Sequence, residues 1–468
     1  MDHMSPLDAE FWYLEDATVS LHIGACAVFE GPAPSLDTFV AMTRSKLARV
    51  PRFRQVVHPV PLGLGRPVWV DDVHFELEYH LRHAALPAPG DDAQLRRLAA
   101  QILSTQLDRS RPLWEEWLIE GLEGDRWAVV AKVHHCMVDG VSGAEMMEVL
   151  LDLEPDADIP PPEPWEPEPG PNDTALVLDA LGGLAGQVAH HAGALASVLV
   201  HPQRLVADVR TELGALLALR DVASSTPPTP MDGPITPHRR WAWATAELDQ
   251  IKAIKDALGG TVNDVVLAAI AGGLRDFLAD HDVDLDAAVI KSLVPVSVRG
   301  ADEHGQFDNR VSGMIADLPV DVADPVERLA AVHEHMAELK ASGEAELGDA
   351  VIAGLATMAP PALLAVGSRV AIKLLERHPG AAIKTVTTNV PGPQLPLYAL
   401  GRRLLAYYPY VPIVHGSRIG IAILSYDGHV AFGITGDAKA VPDVDTIASG
   451  IETSIRELAE RAKRPGQD

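Results

Sequence analysis

The chain has 468 residues, 47% of them hydrophobic, and 38 basic against 65 acidic residues leave a net charge of −27. That length exceeds what one core fills and predicts two domains of ordinary size. The acidic surplus makes nucleic acid and anionic bilayers poor global partners, so any phosphate has to be met by a local basic patch. Two cysteines, Cys26 and Cys136, cannot build a disulfide framework, and the opening Met1-Asp-His-Met-Ser-Pro6 has neither the basic nor the apolar segment of a secretory signal. A reducing cytoplasm is the expected home.

In chain order, Arg126 to Val133 is short and Val-rich and predicts a buried strand. It runs into His134-His-Cys-Met-Val-Asp-Gly140. Two adjacent histidines take and return protons near neutral pH, and Asp139-Gly140 closes the run in a tight polar turn. This suits general-base chemistry on a hydroxyl. Ser142-Gly-Ala-Glu145 then reads as a capping box for a helix with Met147, Leu150 and Leu151 on one face. Glu154 to Asn172 carries eight prolines among acidic residues and predicts an extended linker. An Ala-, Leu- and Val-rich helical segment follows over about 174–222, and a second break spans Ser224 to Pro230. Arg239 to Ala246 and Ile419 to Ser425 read as strands. Val262, Val265, Val266, Ala269, Ile270, Leu274 and Phe277 make a helix face. The expected organisation is an N-terminal domain over 1–153, a linker with a helical excursion over 154–235, and a C-terminal domain over 236–468, with strands and helices mixed in both halves.

Plainer readings stand beside these. A histidine ending a strand is commonly a hydrogen-bonded structural residue. A metal site from His134, His135 and Asp139 is opposed by strand alternation, which points neighbouring side chains to opposite faces. Cys136 reads as a small buried apolar residue, and a nucleophilic role is the lesser reading. Asn263 and Asp264 fall in the first turn of the helix after Thr261, where capping is as good a reading as ligand contact. Asn389 to Pro393 reads as a turn.

His-His-x-x-x-Asp-Gly resembles the motif of the CoA-dependent acyltransferase superfamily, which includes chloramphenicol acetyltransferase-like enzymes and peptide-synthetase condensation domains. Ser5 to Ala9, Arg111 to Glu115, Thr261 to Asp264, Pro295 to Arg299, Asn309 to Ser312 and Asn389 to Pro393 stand in the order of the landmarks of bacterial wax ester synthase/diacylglycerol acyltransferases. The resemblance spans nearly the whole chain apart from about 155–235. It implies an α/β fold: a two-domain CoA-dependent acyltransferase-like sandwich with mixed sheets and a cleft or tunnel between the domains. It also implies an O-acyltransferase that passes a long-chain acyl group from acyl-CoA to diacylglycerol, to a long-chain alcohol, or to both.

On that resemblance His135 is the general base and His134 supports it. Asp139 is structural, with Arg299 its candidate partner, and Gly140 permits the turn. Trp114, Asn263, Asp264, Asn389 and Gly392 border the substrates. No cofactor is implied beyond acyl-CoA as co-substrate. A carrier-protein-dependent acyltransferase acting on a complex lipid is one alternative. A non-catalytic lipid-binding or lipid-droplet scaffold is another, against which the intact His135 speaks. Ala350 to Ser368 is uncharged, and Pro360-Pro361 argue against its spanning a bilayer. Arg369, Lys373, Arg377 and Lys384 follow, suited to a lipid surface or to the phosphates of CoA. The expectation is a cytoplasmic protein resting peripherally on a membrane or lipid droplet.

Overall fold

The computed structural model describes residues 1–137, 150–183, 226–297, 311–342 and 383–463. Two six-stranded sheets dominate them. The first runs in the order β12 (Tyr398–Ala399), β13 (Arg402–Tyr410), β2 (His22–Phe29), β7 (Arg126–His134), β6 (Trp114–Leu122), β5 (Leu81–Ala85). Its pairs are antiparallel except β5 with β6. The second runs β10 (Val311–Leu318), β9 (Ile290–Ser297), β11 (Ile383–Pro391), β14 (Ile419–Tyr426), β15 (His429–Asp437), β8 (Arg239–Glu247), with β11 parallel to both its neighbours. A small third sheet joins β1 (Asp2–His3), β4 (Val68–Asp71) and β3 (Gln55–His58). This is the expected mixed α/β sandwich.

The helices are α1 (Pro6–Leu14), α2 (Leu36–Lys46), α3 (Leu77–His80), α4 (Asp92–Ser104), α5 (Leu248–Leu258), α6 (Val262–Asp280), α7 (Pro325–Ser342) and α8 (Asp445–Ala462). Their starts follow from sequence. Ser5 accepts the Asp8 N–H at 3.1 Å, and Asp91 with Gln94 and Thr261 with Asp264 form reciprocal capping boxes. The sequence gives α6 one apolar face, but its residues from Asp264 to Leu274 are buried without interruption. The reason is close packing against α8: a Cβ on Gly272 or Gly273 would lie 2.6 Å from Ser454 Oγ or the Ile447 carbonyl oxygen. Glycine here lets a second helix cover the far side.

Three expectations meet the structure differently. Residues 398–410 belong by sequence to the C-terminal half, yet β13 pairs with β2 from Leu404 opposite Phe29 to Tyr410 opposite Gly24, inside the first sheet. Asn389, Val390 and Pro391 are not in a turn. They end β11, opposite Ile423, Leu424 and Ser425, because the β-branched run Thr385-Val-Thr-Thr388, continued by Val390, carries the strand through to the proline. Lys384 is no part of a free basic cluster: it is wholly buried, with Nζ 2.6 and 2.7 Å from the two carboxylate oxygens of Asp232. The Pro-rich 154–172 stretch is extended, and it lies against the small sheet, with the Arg54 guanidinium 4.6 Å from the Trp165 ring and Glu168 N–H donating to Asp71. The helical segment after it is seen over 173–183, where Leu176 packs on Val60 and Val68. Its remainder to 222, the 142–149 capping box, Asn309 and Ala350 to Arg377 lie outside the described residues.

The two large sheets meet where β13 crosses β15. There a Cβ on Gly433 would fall inside the van der Waals envelope of the Pro409 carbonyl oxygen. A methyl group cannot enter without separating the sheets, so Gly433→Ala is expected to lower stability by about 3 kcal/mol, the upper range for overpacking. Thermal or urea unfolding of the variant beside the wild type measures it.

Candidate active site

The register of β2 and β7 sets His22 opposite His134 and Ile23 opposite Val133. Side chains alternate across the sheet, so His22, Lys132 and His134 share one face, while Ala131, Val133 and, past the strand end, His135 share the other. The turn is fixed by backbone bonds. His134 N–H donates to Leu113 at 2.9 Å, His135 N–H to Leu21 at 2.8 Å, and Met137 N–H to the His134 carbonyl at 2.9 Å. His134 has no exposed surface. Its Nδ1 accepts the Cys136 N–H at 3.1 Å, and its Nε2 lies 3.3 Å from Glu15 Oε2. That Glu15 oxygen also accepts the Leu21 N–H at 2.9 Å. Burial pushes the Glu15 carboxyl up, but His134 and the Leu21 N–H together hold it below the ordinary carboxylate range. His134 is thus a brace behind the turn, with its acceptor nitrogen taken by the backbone and its other nitrogen facing a carboxylate.

Two more groups complete the back face. His22 Nε2 donates to the Leu103 carbonyl at 2.7 Å, and burial, with Lys132 nearby, pushes this imidazole down to about 3, so it is neutral. Lys132 donates to the Thr105 carbonyl at 2.8 Å and lies 3.3 Å from Glu115. A lysine at the C-terminal end of α4 satisfies a carbonyl that the helix leaves open.

His135 occupies the front. Its ring sits 4.3 Å from the Phe11 ring centroid and borders a cavity of about 210 Å³ between the two large sheets. Ala25 and Ala27 of β2 with Val129 and Ala131 of β7 make the floor, α2 contributes Phe39, Met42 and Lys46, and Thr388, Val390 and Ala422 to Leu424 close the far side. Small side chains in the middle of two adjacent strands leave the space open. Trp114 also lines it, almost wholly buried, stacked on Phe53 at 4.6 Å and donating Nε1–H to the Phe53 carbonyl at 2.8 Å. Leu150 and Leu151, expected on a helix face, line the cavity as well.

The other expected site residues sit apart from it. Asn389 Nδ2 donates to Asn263 Oδ1 at 3.1 Å, joining the end of β11 to the start of α6. Asp264 is buried, accepts the Thr261 N–H at 2.8 Å, and lies 2.8 Å from His333 Nδ1. Gly392 N–H donates to the Ser425 carbonyl at 3.0 Å. None of these four lines the cavity, although Thr388 and Val390 on either side of Asn389 do; alternation turns Asn389 away. Asp139, Gly140 and Arg299 lie outside the described residues. Cys136 is 3% exposed, does not line the cavity, and has its thiol pushed well up by burial, so it remains protonated. Among the described residues no group of three His, Cys, Asp or Glu side chains could hold a metal ion.

Glu116 is the residue that sequence reasoning missed. It projects from β6 into the cavity, where burial raises its carboxyl to about 7 against the opposing pull of Lys46. Lys46 itself donates to the Leu150 carbonyl at 2.7 Å and to Asp152 at 2.8 Å. The signal was present: Glu115 and Glu116 are adjacent in an apolar strand, so alternation sends one carboxylate to each face.

A model of the wax ester synthase/diacylglycerol acyltransferase catalytic domain matches residues 4–266, and one of the family's C-terminal domain matches residues 307–459. The chain belongs to the wax ester synthase/diacylglycerol acyltransferase family. A protein named probable diacylglycerol O-acyltransferase tgs1 from Mycobacterium tuberculosis is 35% identical over 466 residues, 99% of this chain and 97% of that one. The wax ester synthase/diacylglycerol acyltransferase of Marinobacter aquaeolei VT8 superposes with a TM-score of 0.70 at 28% identity, over 99% of this chain and 100% of that one. The first condensation domain of the calcium-dependent antibiotic synthetase superposes at 0.60 with 17% identity, covering 99% and 96%, and shares the fold. This family member is an acyltransferase.

Glu116 gives a pH dependence. In the unfolded chain its carboxyl ionises near the ordinary value of about 4.3, but in the fold only near 7. Between those values the unfolded state binds fewer protons, so this group's contribution makes stability fall as pH rises. Glu116→Gln removes that term. The variant is expected to match the wild type near pH 4 and to exceed it by about 2 kcal/mol at pH 8, a figure reduced from 1.36 kcal/mol per unit for residual hydration in the cavity. Unfolding curves at the two pH values check it.

Proposed function

We propose that this protein transfers a long-chain acyl group from acyl-CoA to the free hydroxyl of diacylglycerol, with long-chain alcohols as a second class of acceptor. The observation that carries this reading is the placement of His135 at the rim of an apolar cavity floored by alanine and valine. A thioester is already activated, whereas an alcohol is a poor nucleophile until its proton is removed. The His135 imidazole takes the hydroxyl proton as the alcohol oxygen attacks the thioester carbonyl. The C–S bond then breaks, and the proton returns to the departing CoA thiolate. No acyl-enzyme is needed, and the buried, protonated Cys136 is a poor candidate for one. The name of the mycobacterial relative favours diacylglycerol as acceptor.

His134 in this reading holds the turn that aims His135. The acceptor is too apolar to arrive readily through water, so the protein is proposed to work at the cytoplasmic surface of a membrane or lipid droplet, despite its charge of −27. Arg369, Lys373 and Arg377 remain the proposed basic contact. Among the described residues no single helix is long and apolar enough to cross a bilayer.

His135→Ala is expected to lower turnover by about 10² to 10⁴ while the circular dichroism spectrum and melting temperature stay at wild-type values. Near-normal turnover in that variant would remove the histidine from the mechanism. Cys136→Ala is expected to keep turnover within a few-fold of wild type. Intact-protein mass spectra after mixing with acyl-CoA alone are expected to show no adduct.

A further inference from the structure

Glu116 stands in an apolar chamber without a visible task. On β6 it is registered with Ala131 of β7, four residues before His135, which places it about 13 Å along the strand from the base at about 3.3 Å per residue. Among the described residues no group hydrogen-bonds to its carboxyl. Across the alanine floor stands Tyr407 of β13, registered with Ala27 and through it with Val129, two residues farther from His135. Its phenol likewise has no hydrogen-bond partner among the described residues, and burial, with the Glu116 carboxylate adding to it, pushes the phenol up. The ionisable groups facing Glu116 are Lys46 from α2, committed to Leu150 and Asp152, and Tyr407. The opposing strands β11 and β14 present Thr388, Val390, Ala422, Ile423 and Leu424, none of them ionisable.

Both side chains are half-buried and border the cavity, and a polar group that faces apolar walls without a protein partner calls for an explanation. A purely hydrocarbon chain gains nothing from a carboxyl and a phenol in mid-tunnel. A chain carrying an oxygen does. We propose that Glu116 and Tyr407 form a recognition site for an oxygen substituent, a hydroxyl above all, at the middle of an aliphatic chain whose reacting end lies at His135. A hydroxyl offers one donor and two acceptor lone pairs, and a carboxyl and a phenol that face one cavity from β6 and β13 offer complements to both. Burial favours the neutral carboxyl, able to donate as well as accept, at pH below about 7. The enzyme therefore accepts mid-chain hydroxylated chains and prefers them to unsubstituted ones, because an unsubstituted chain leaves the two polar groups unpaired. This rests on the proposed acyl transfer only for the statement that a chain end lies at His135.

The chain can belong to the acyl donor or to the acceptor, so the experiment has two arms. In the first, isothermal titration compares octadecanoyl-CoA, the same thioester with a mid-chain hydroxyl, and one with the hydroxyl next to the thioester. In the second, vesicles carrying diacylglycerol with unsubstituted or mid-chain-hydroxylated chains are tested for binding by flotation. Wild type, Glu116→Gln, Glu116→Leu and Tyr407→Phe are compared, each first shown to be folded by its melting curve. In one arm the wild type is expected to prefer the mid-chain hydroxyl. Glu116→Leu should cut that preference about tenfold, one lost buried hydrogen bond, and Tyr407→Phe should cut it by less. Glu116→Gln, which still donates and accepts, should keep it and lose its dependence on pH near 7. In the first arm a hydroxyl next to the thioester should give no advantage. Preference in neither arm, an equal advantage for either hydroxyl position, or an unchanged preference in folded Glu116→Leu would overturn the inference. Because binding is read without turnover, failure of the acyl-transfer reading would appear separately, as absent product with intact His135.

Discussion

The register that sets His22 opposite His134 decides what the two neighbouring histidines become. With side chains alternating at a period of two, His134 turns to the back of the sheet, onto Glu15 and the Cys136 N–H, and His135 turns to the front, into the cavity. A slip of one residue would exchange them, burying the base and exposing the brace. The same alternation sorts the rest of the first sheet. Its back face carries Lys132, Glu115 and His22, each tied to α4 or to a partner, and its front face is mostly apolar, with Phe29 and Trp114 beside the alanines and valines, apart from a few polar groups.

The two faces obey opposite rules. Behind the sheet, polar groups face one another: a depressed Glu15 carboxyl faces a histidine, and a lysine meets the open carbonyls at the end of α4, while His22 Nδ1 has no hydrogen-bond partner among the described residues. These contacts hold the end of β7 from behind, and they reach the reacting group through the backbone bonds of the 134–137 turn. In front of the sheet, space matters more than bonding. The floor stays low because Ala25, Ala27 and Ala131 occupy adjacent strands where larger residues would meet α2. Glu116 and Tyr407 break that rule.

What could be read from sequence was whatever depends on nearby residues. The strands over Arg126 to Val133, Arg239 to Ala246 and Ile419 to Ser425 appear within a residue of the expected ends, and the cap at Thr261 and the extended Pro-rich stretch are as composition dictates. The motif located His135, and the ordered landmarks located the family. Features set by distant pairing were not legible. Nothing local in Arg402 to Tyr410 says that it belongs beside His22 to Phe29, nothing around Lys384 announces a buried partner at Asp232, and the Asn263–Asn389 bond joins residues whose adjacency exists only after folding. Glu116 lay between the two kinds: alternation foretold an inward carboxylate, but only the cavity shows what it faces.

The exchange of β13 has a mechanical consequence. Because the strand from Leu404 to Tyr410 is hydrogen-bonded into the first sheet while Ile419 to Tyr426 and His429 to Asp437 lie in the second, the halves are laced together through a ladder as well as packed. Swinging them apart like a bivalve would mean peeling one strand off another. The two sequence halves therefore stay tied together at β13, and any change in the distance between the sheets has to be taken up by the connections that lead from β11 to β13 and from β13 to β14.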